Sequence, residues 1–451
     1  MADHQNESGI RSGRLEPHEY QENFADLHPP LDRHEASVEA DRCYFCYDAP
    51  CMTACPTSID IPQFIRQIST GNANGAAKTI FDQNILGGMC ARVCPTETLC
   101  EQVCVRETSE GKPVKIGLLQ RFATDSFMSD KKQQPYDRAK ESGKHVAVVG
   151  GGPAGLACAH RLSMHGHDVT IFEARAKSGG LNEFGIAAYK SVDDFAQAEV
   201  DFVLGIGGIT VETGKALGRD MTLADLQSKY DAVFIGTGLA GVNALRAEGE
   251  NLAGVADAVS YIADLRQAED LAGLPVGRNI AVIGGGMTAI DIAVQTKRLG
   301  AENVTLLYRR GPEQMGASAY EQQLAQTSGV TIRHWVMPIA VHGENGAANA
   351  IELEYSRLEN GKLAGTGERF SLEVDQVFKA IGQSFDDSAI RSGSSVPELK
   401  GGRILVDTDR KTSLENVWAG GDCIFGGEDL TVASVDDGRT AAESIHLFLS
   451  A

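Results

Sequence analysis

Eight of the ten cysteines of this 451-residue chain lie between Cys43 and Cys104. They run as Cys43-x2-Cys46-x4-Cys51-x3-Cys55-Pro56, then Cys90-x3-Cys94-Pro95, then Cys100-x3-Cys104. Nothing else in the sequence limits the fold as strongly, because so many thiols in so short a stretch must be cross-linked or bound to metal. Disulfide frameworks belong to small secreted domains. Here the first forty-two residues are polar and mixed in charge, without the apolar core of a signal segment. Zinc knuckles favour paired Cys-x2-Cys, a spacing that only Cys43 and Cys46 have. Thiolates a few residues apart, with Cys-Pro closing the run, are the pattern of iron–sulfur ligation. By count alone, eight thiolates supply two four-thiolate clusters.

The remaining composition narrows the class. A formal net charge of −20 argues against a nucleic acid or an anionic membrane as partner. No run of eighteen apolar residues exists, so no transmembrane helix is expected, and the chain is expected to be cytoplasmic. Cys158 and Cys423 stand alone, which leaves no Cys-x-x-Cys for a disulfide-exchange mechanism.

Residues 1–40 read as an irregular arm with one helical turn near His34–Asp41. Residues 41–140 read as a helical cluster domain. Ile61, Phe64, Ile65 and Ile68 share one face at i, i+3, i+4, i+7. Helices are also expected at Ala76–Asn84 and Ile116–Phe127, and a helix through Cys100 and Cys104 would put both on one face. The charged stretch Lys131–Lys144 reads as a linker.

The strand His145–Val149 runs into Gly150-Gly151-Gly152-Pro153-Ala154-Gly155, followed by a helix at Leu156–His165 and the strand Asp168–Phe172, which ends at Glu173. This is G-x-G-x-x-G in its full βαβ context. The glycines let the backbone approach a pyrophosphate at the helix N-terminus, and the acid accepts hydrogen bonds from a ribose. Gly179-Gly180-Leu181 suits a backbone passing close to a flat cofactor. A strand at Asp231–Ile235 follows, and then a second unit begins. The strand Asn279–Ile283 leads into Gly284-Gly285-Gly286-Met287-Thr288-Ala289, with a helix at Ala289–Leu299 and a strand at Asn303–Tyr308. Where an acid would face a free ribose, Arg309-Arg310 stand instead, and arginines there pair a 2′-phosphate. The run Val374–Ile381 ends in Gly382, and Val417–Asp422 places Gly421 and Asp422 at the entry to a C-terminal helix, Ala433–Leu449, where an Asp can hold a ribityl chain.

The expected fold is therefore α/β: a helical Fe–S domain, then two Rossmann-like nucleotide-binding domains, the second inserted in the first. The FAD-binding domain takes residues 141–240 and 385–451, and the NAD(P)H-binding domain takes 241–384. Hydride passes from nicotinamide to flavin, flavin releases single electrons, and clusters carry them, so the order NAD(P)H, FAD, Fe–S, acceptor follows from cofactor chemistry.

From about residue 41 onward the sequence resembles the module shared by dihydropyrimidine dehydrogenase and the glutamate synthase small subunit. The resemblance rests on the cysteine runs, on Gly150–Gly155, Gly179-Gly180-Leu181, Gly284–Asp291 and Ala419–Asp422. It implies two 4Fe-4S clusters. The first would be held by Cys43, Cys46, Cys51 and Cys104, and the second by Cys55, Cys94, Cys100 and Gln120, which leaves Cys90 out. Gln120 is the dihydropyrimidine dehydrogenase choice, where glutamate synthase small subunits have Glu. Ala187 replaces the family's Pro, and Lys190 holds its basic position, which implies a catalytic part for Lys190. The chain stops at Ala451, before the FMN barrel of the full-length enzyme, so it resembles the separate electron-input subunit of the bacterial enzyme. The resemblance implies a PreA-type FMN/Fe–S partner in a hetero-oligomer, a heterotetramer, that reduces uracil and thymine. The alternative is a glutamate synthase (NADPH) small-subunit-type reductase. Tyr308-Arg309-Arg310 resembles that NADPH enzyme, while the pyrimidine enzyme uses NAD, so the choice between NADH and NADPH stays open.

Overall fold

The computed structural model describes residues 7–130 and 134–451. The start of the expected arm and residues 131–133 of the expected linker lie outside the described residues. The chain divides into two compact units. One comprises His28–Glu183, Asp193–Gly241 and Phe385–Ala451; the other comprises the residues up to Leu27, Phe184–Val192 and Val242–Ser384.

The first unit starts with short helices. Arg33–Ala40 is capped by Asp32, whose side chain accepts from Glu35 N while Glu35 answers at the Asp32 N–H. This is a capping box, D-x-x-E, and it makes two turns of helix where a single turn was expected. The helix Ile61–Ser69 starts at Asp60, which caps Gln63 N, and buries the expected face of Ile61, Phe64, Ile65 and Ile68. Each such side chain contributes about 1.5–3 kcal/mol when taken fully from water. Ala73–Gln83 is capped by Asn72, and Gly87–Val93 and Ile116–Asp130 complete the frame. Cys100 and Cys104 do not share a helix. The chain turns through Leu99–Val103, and Cys104 is the N-cap of a separate helix, Val105–Glu110. Cys104 has ψ 132°, outside the helical range, so no continuous helix joins the two thiols.

The same unit holds a five-stranded parallel sheet in the order Val417–Ala419, Ala232–Ile235, His145–Val149, Asp168–Glu173, Ile209–Thr213. The helices Pro153–Met164 and Thr431–Ser450 pack on it, with Gly438 against the Ala154 carbonyl so closely that any Cβ would collide. One core joins the cluster helices to this sheet. Phe81 stands 5.0 Å from Phe202 and 5.7 Å from Phe127, ring centre to ring centre.

The second unit is built on another five-stranded parallel sheet, ordered Val255–Asp257, Gln376–Ala380, Asn279–Gly284, Asn303–Tyr308, Thr331–His334. Sequence patterning missed the three-stranded antiparallel sheet inside it, formed by Val336–Glu344, Ala347–Glu359 and Lys362–Glu373. Its long strands bury few residues, so alternation along them is weak. The unit also takes in the helix Pro17–Asn23, which the expected arm lacked and which Glu16 and Glu19 box at its start. Arg14, almost fully buried, anchors this segment by donating to Val276 O at 2.9 Å. Among the described residues no helix is long and apolar enough to cross a membrane.

Candidate cluster and nucleotide sites

Cys43, Cys46, Cys51 and Cys104 line one cavity of roughly 380 Å³ counted to its open mouth. Ile61, Ile65, Val114 and Ile116 also line it, as do Tyr44, Val105 and Arg106. Phe45 takes a left-handed φ of 50°, a turn between Cys43 and Cys46 that a non-glycine residue adopts only at a cost. The Phe45 N–H points to Cys43 Sγ at 3.4 Å, and Arg66 covers the Phe45 ring at 4.6 Å.

A second set of thiols lies beside the first. Cys94 feels Cys90, Cys100 and Cys55, while Cys100 feels Cys55 and Cys51. Cys55 Sγ stands 3.4 Å from Thr57 Oγ1. Gln120 is buried, and its Nε2 donates to Gly87 O at 2.7 Å, which leaves the amide oxygen as its ligating atom. Cys55, Cys94 and Cys100 thus share a neighbourhood, and Cys90 enters it through a hydrogen bond with Cys94.

The donor chemistry fits a cationic iron–sulfur core. Burial, helped by Cys104 and Cys43, pushes the Cys51 thiol up to about 12, and burial raises Cys43 and Cys100 as well. The hydrogen bond with Cys90, then burial, raises Cys94. Free thiols held like this stay protonated at neutral pH. A metal core supplies the positive charge that makes thiolates stable there, and binding it releases their protons. Among the described residues no three His, Cys, Asp or Glu side chains converge on a point that could hold a single ion.

The first Gly-rich loop is built for close approach. Gly150 has φ +102° and Gly155 faces the Gly150 carbonyl, so a Cβ at Gly155 would collide with it. Gly152 caps the helix Pro153–Met164, which carries Ala154 in its first turn. Glu173 Oε2 accepts the Gly151 N–H at 2.8 Å and Oε1 accepts Arg175 N–H at 2.8 Å. The acid is therefore fixed against the loop with lone pairs left for a ribose. Gly179 N–H donates to Gly151 O at 2.7 Å, which brings Gly180 and Leu181 to the same loop. Across the sheet, Gly421 N–H donates to Asp437 Oδ2 at 2.8 Å. Burial and the nearby Asp429 push the Asp422 carboxyl up to about 7.

In the second unit Gly284 ends its strand and Gly286 caps the helix Met287–Arg298, which starts with Met287 and Thr288. Gly285 lies against the Tyr308 ring, so no side chain fits there. Gly382 has φ +92° at the end of the neighbouring strand. Arg309 and Arg310 are exposed past Tyr308, and neither has a salt bridge among the described residues. Lys190 is buried in this unit, with its ammonium 2.8 Å from Asp291 and 2.8 Å from Glu321. Asp291 and Glu321 were not singled out as partners; the sequence signal for Asp291 was its place on the helix after the Gly-rich loop.

Residues 20–132 match the model of dihydropyrimidine dehydrogenase domain II, 4Fe-4S cluster, and residues 144–438 match pyridine nucleotide-disulphide oxidoreductase. The NAD-dependent dihydropyrimidine dehydrogenase subunit PreT of Salmonella typhimurium is 34% identical over 95% of this chain and 98% of its own length. The chain belongs to the pyridine nucleotide-disulphide oxidoreductase family and, within it, to the PreT type.

Other known proteins are similar to this chain. The glutamate synthase [NADPH] small chain of Escherichia coli is 32% identical over 94% of this chain and 93% of its own. The thioredoxin reductase of T. acidophilum shares the fold, with a TM-score of 0.55 at 20% identity, over 68% of this chain and all of that one, 100%. The PreT-type chain adds the cluster domain ahead of that shared fold.

Proposed function

We propose that this chain is the electron-input subunit of a dihydropyrimidine dehydrogenase, an oxidoreductase that draws electrons from NAD(P)H and delivers them to an FMN-bearing partner of the PreA type that reduces uracil and thymine. The observation that carries this is the pairing of a four-thiol cavity, Cys43, Cys46, Cys51 and Cys104, with a neighbouring three-thiol set in the unit that also contains the first Gly-rich loop.

In this proposal Gly150, Gly152, Pro153, Ala154 and Gly155 receive the FAD pyrophosphate, Glu173 its ribose, Gly180 and Leu181 its ring system, and Gly421 and Asp422 its ribityl end. Gly284, Gly285, Gly286, Thr288 and Gly382 shape the nicotinamide nucleotide site. Cys43, Cys46, Cys51 and Cys104 hold one 4Fe-4S cluster; Cys55, Cys94, Cys100 and Gln120 hold the other. When bound, the flavin accepts a hydride and parts with single electrons, which the clusters carry onward. Asp422, with its carboxyl raised to about 7, can donate as well as accept a hydrogen bond at the flavin. Lys190 stays a cation between two carboxylates and fixes the Phe184–Val192 segment within its unit.

A glutamate synthase type of reductase is the second reading, favoured by the exposed Arg309 and Arg310, which have no salt bridge among the described residues. Anaerobic mixing with each nucleotide tests the core of the proposal. NAD(P)H should bleach the flavin and generate two distinguishable reduced cluster signals by electron paramagnetic resonance. A flavin that bleaches while only one cluster signal forms would remove the second cluster from the proposal.

A further inference from the structure

Glu199 lies on the helix Phe195–Leu204 and is 0% exposed. Its Oε1 accepts the N–H groups of Gly88 at 2.8 Å and Met89 at 3.0 Å, in the first turn of the Gly87–Val93 helix. Its Oε2 is buried without a hydrogen-bond partner among the described residues. A buried carboxylate oxygen left bare is costly, whereas a protonated one is far less so.

The charges around it do not repair this. Arg92, on the Gly87–Val93 helix, donates to Gly88 O at 3.0 Å and to both Asp125 oxygens at 2.9 Å, and stacks 3.3 Å over the Phe195 ring. Arg121 and Asp125, on the Ile116–Asp130 helix, pair with each other at 3.3 Å. Both cations are thus engaged by Asp125. Burial pushes the Glu199 carboxyl up to about 8, against the pull of the Met89 N–H, Arg92 and the Gly88 N–H.

The helix that Glu199 grips leads to the second cluster set at both ends. Gly87 O accepts from Gln120, and Cys94 N–H donates to Cys90 O at 3.0 Å at the other end. An electron placed on a cluster held by Cys55, Cys94, Cys100 and Gln120 adds negative charge in a dry interior, where a nearby carboxylate is penalised strongly. We propose that Glu199, at pH values where it is ionised before reduction, takes up one proton from solvent at Oε2 when the second cluster gains one electron, and releases it when that electron leaves. Charge balances at the site: one electron and one proton enter together and leave together. The inference rests on the second cluster proposed above.

The consequence is a cluster potential that depends on pH. The coupling appears above about pH 8, where the carboxyl is ionised before the electron arrives; with one proton per electron the slope there approaches 59 mV per pH unit, and the potential falls as pH rises. Redox titration of the intact holoprotein, followed by electron paramagnetic resonance at several pH values around the Glu199 value, reads this directly. The second cluster should show the slope, the first should not, and Glu199→Gln should flatten the second while leaving its iron in place. Gln keeps an oxygen for the Gly88 and Met89 N–H groups and cannot titrate. A flat wild-type profile overturns the inference, with or without a stable variant. So does a Glu199→Gln protein that keeps the wild-type slope. A holoprotein with iron for one cluster only removes the second-cluster proposal itself, an outcome that iron analysis separates from the other two.

Discussion

Lys190 Nζ stands 2.8 Å from Asp291 Oδ1, and Glu321 Oε1 takes the same ammonium at 2.8 Å. Burial alone would lower the ammonium pKa, but Asp291, Tyr189 and Glu321 outweigh it and hold Lys190 protonated. Lys190 thus joins the Phe184–Val192 segment to the helices Met287–Arg298 and Ala319–Thr327 of the same unit. Gln295 Oε1 adds a second tie by accepting Ala188 N–H at 3.0 Å.

Removing the cation leaves two buried carboxylates facing each other. Lys190→Met should cost about 3–5 kcal/mol, because an uncompensated buried charge is left behind. Thermal or urea unfolding checks this. A loss well under 1 kcal/mol would mean that the triad is solvated in the protein.

In the proposed assignment Cys104 serves the first cluster alone. Cys104→Ser should remove the first cluster and lower bound iron by about half, with the second cluster signal intact. Gln120→Ala should do the reverse and leave the first. Iron analysis with electron paramagnetic resonance distinguishes the two losses. Equal loss of both signals in each variant would contradict the assignment of separate ligand sets.

Much of this was legible because cysteine spacing and Gly-rich βαβ patterns are local. The strands His145–Val149 and Asn303–Tyr308 and the buried face of Ile61–Ser69 follow from residues within one element. The split of Cys100 from Cys104 was not legible, since spacing by four fits a helix equally well and only the extended ψ at Cys104 starts a new helix there. Glu199 was invisible for a different reason. Its partners are the backbone N–H groups of Gly88 and Met89, more than a hundred residues earlier. The antiparallel sheet from Val336 to Glu373 was missed because its strands are mostly exposed and carry no motif.

If Arg309 pairs a 2′-phosphate, as its place after Tyr308 implies, it separates the two nucleotides. Arg309→Ala should raise KM for NADPH roughly tenfold, about 1.4 kcal/mol, and leave KM for NADH little changed. Steady-state dye reduction with both nucleotides measures it. An equal effect on both would place Arg309 away from the 2′-phosphate.

Acid should weaken the fold. Burial, aided by Arg161, lowers His160 to about 3, and burial with His446 and His165 lowers His167 to about 4. Both values lie below that of an unfolded histidine, so the unfolded chain binds more protons as pH drops below about 6.5. Stability from these groups is fully present above that point and falls as pH descends toward about 4, levelling off only as the folded histidines protonate in turn. His167→Gln should reduce the drop in Tm between about pH 7 and pH 5. An unchanged drop would assign the acid sensitivity to other groups.

Electron delivery to a pyrimidine-reducing partner is the property that sets this reading apart. The most direct measurement is NADH and NADPH oxidation by this chain, with and without a purified PreA-type subunit, in the presence and absence of uracil. Uracil-dependent oxidation is expected only when both proteins are present, with dihydrouracil formed in step with nucleotide consumed. Nucleotide-driven dye reduction by this chain, with no dependence on uracil in any pairing, would contradict it.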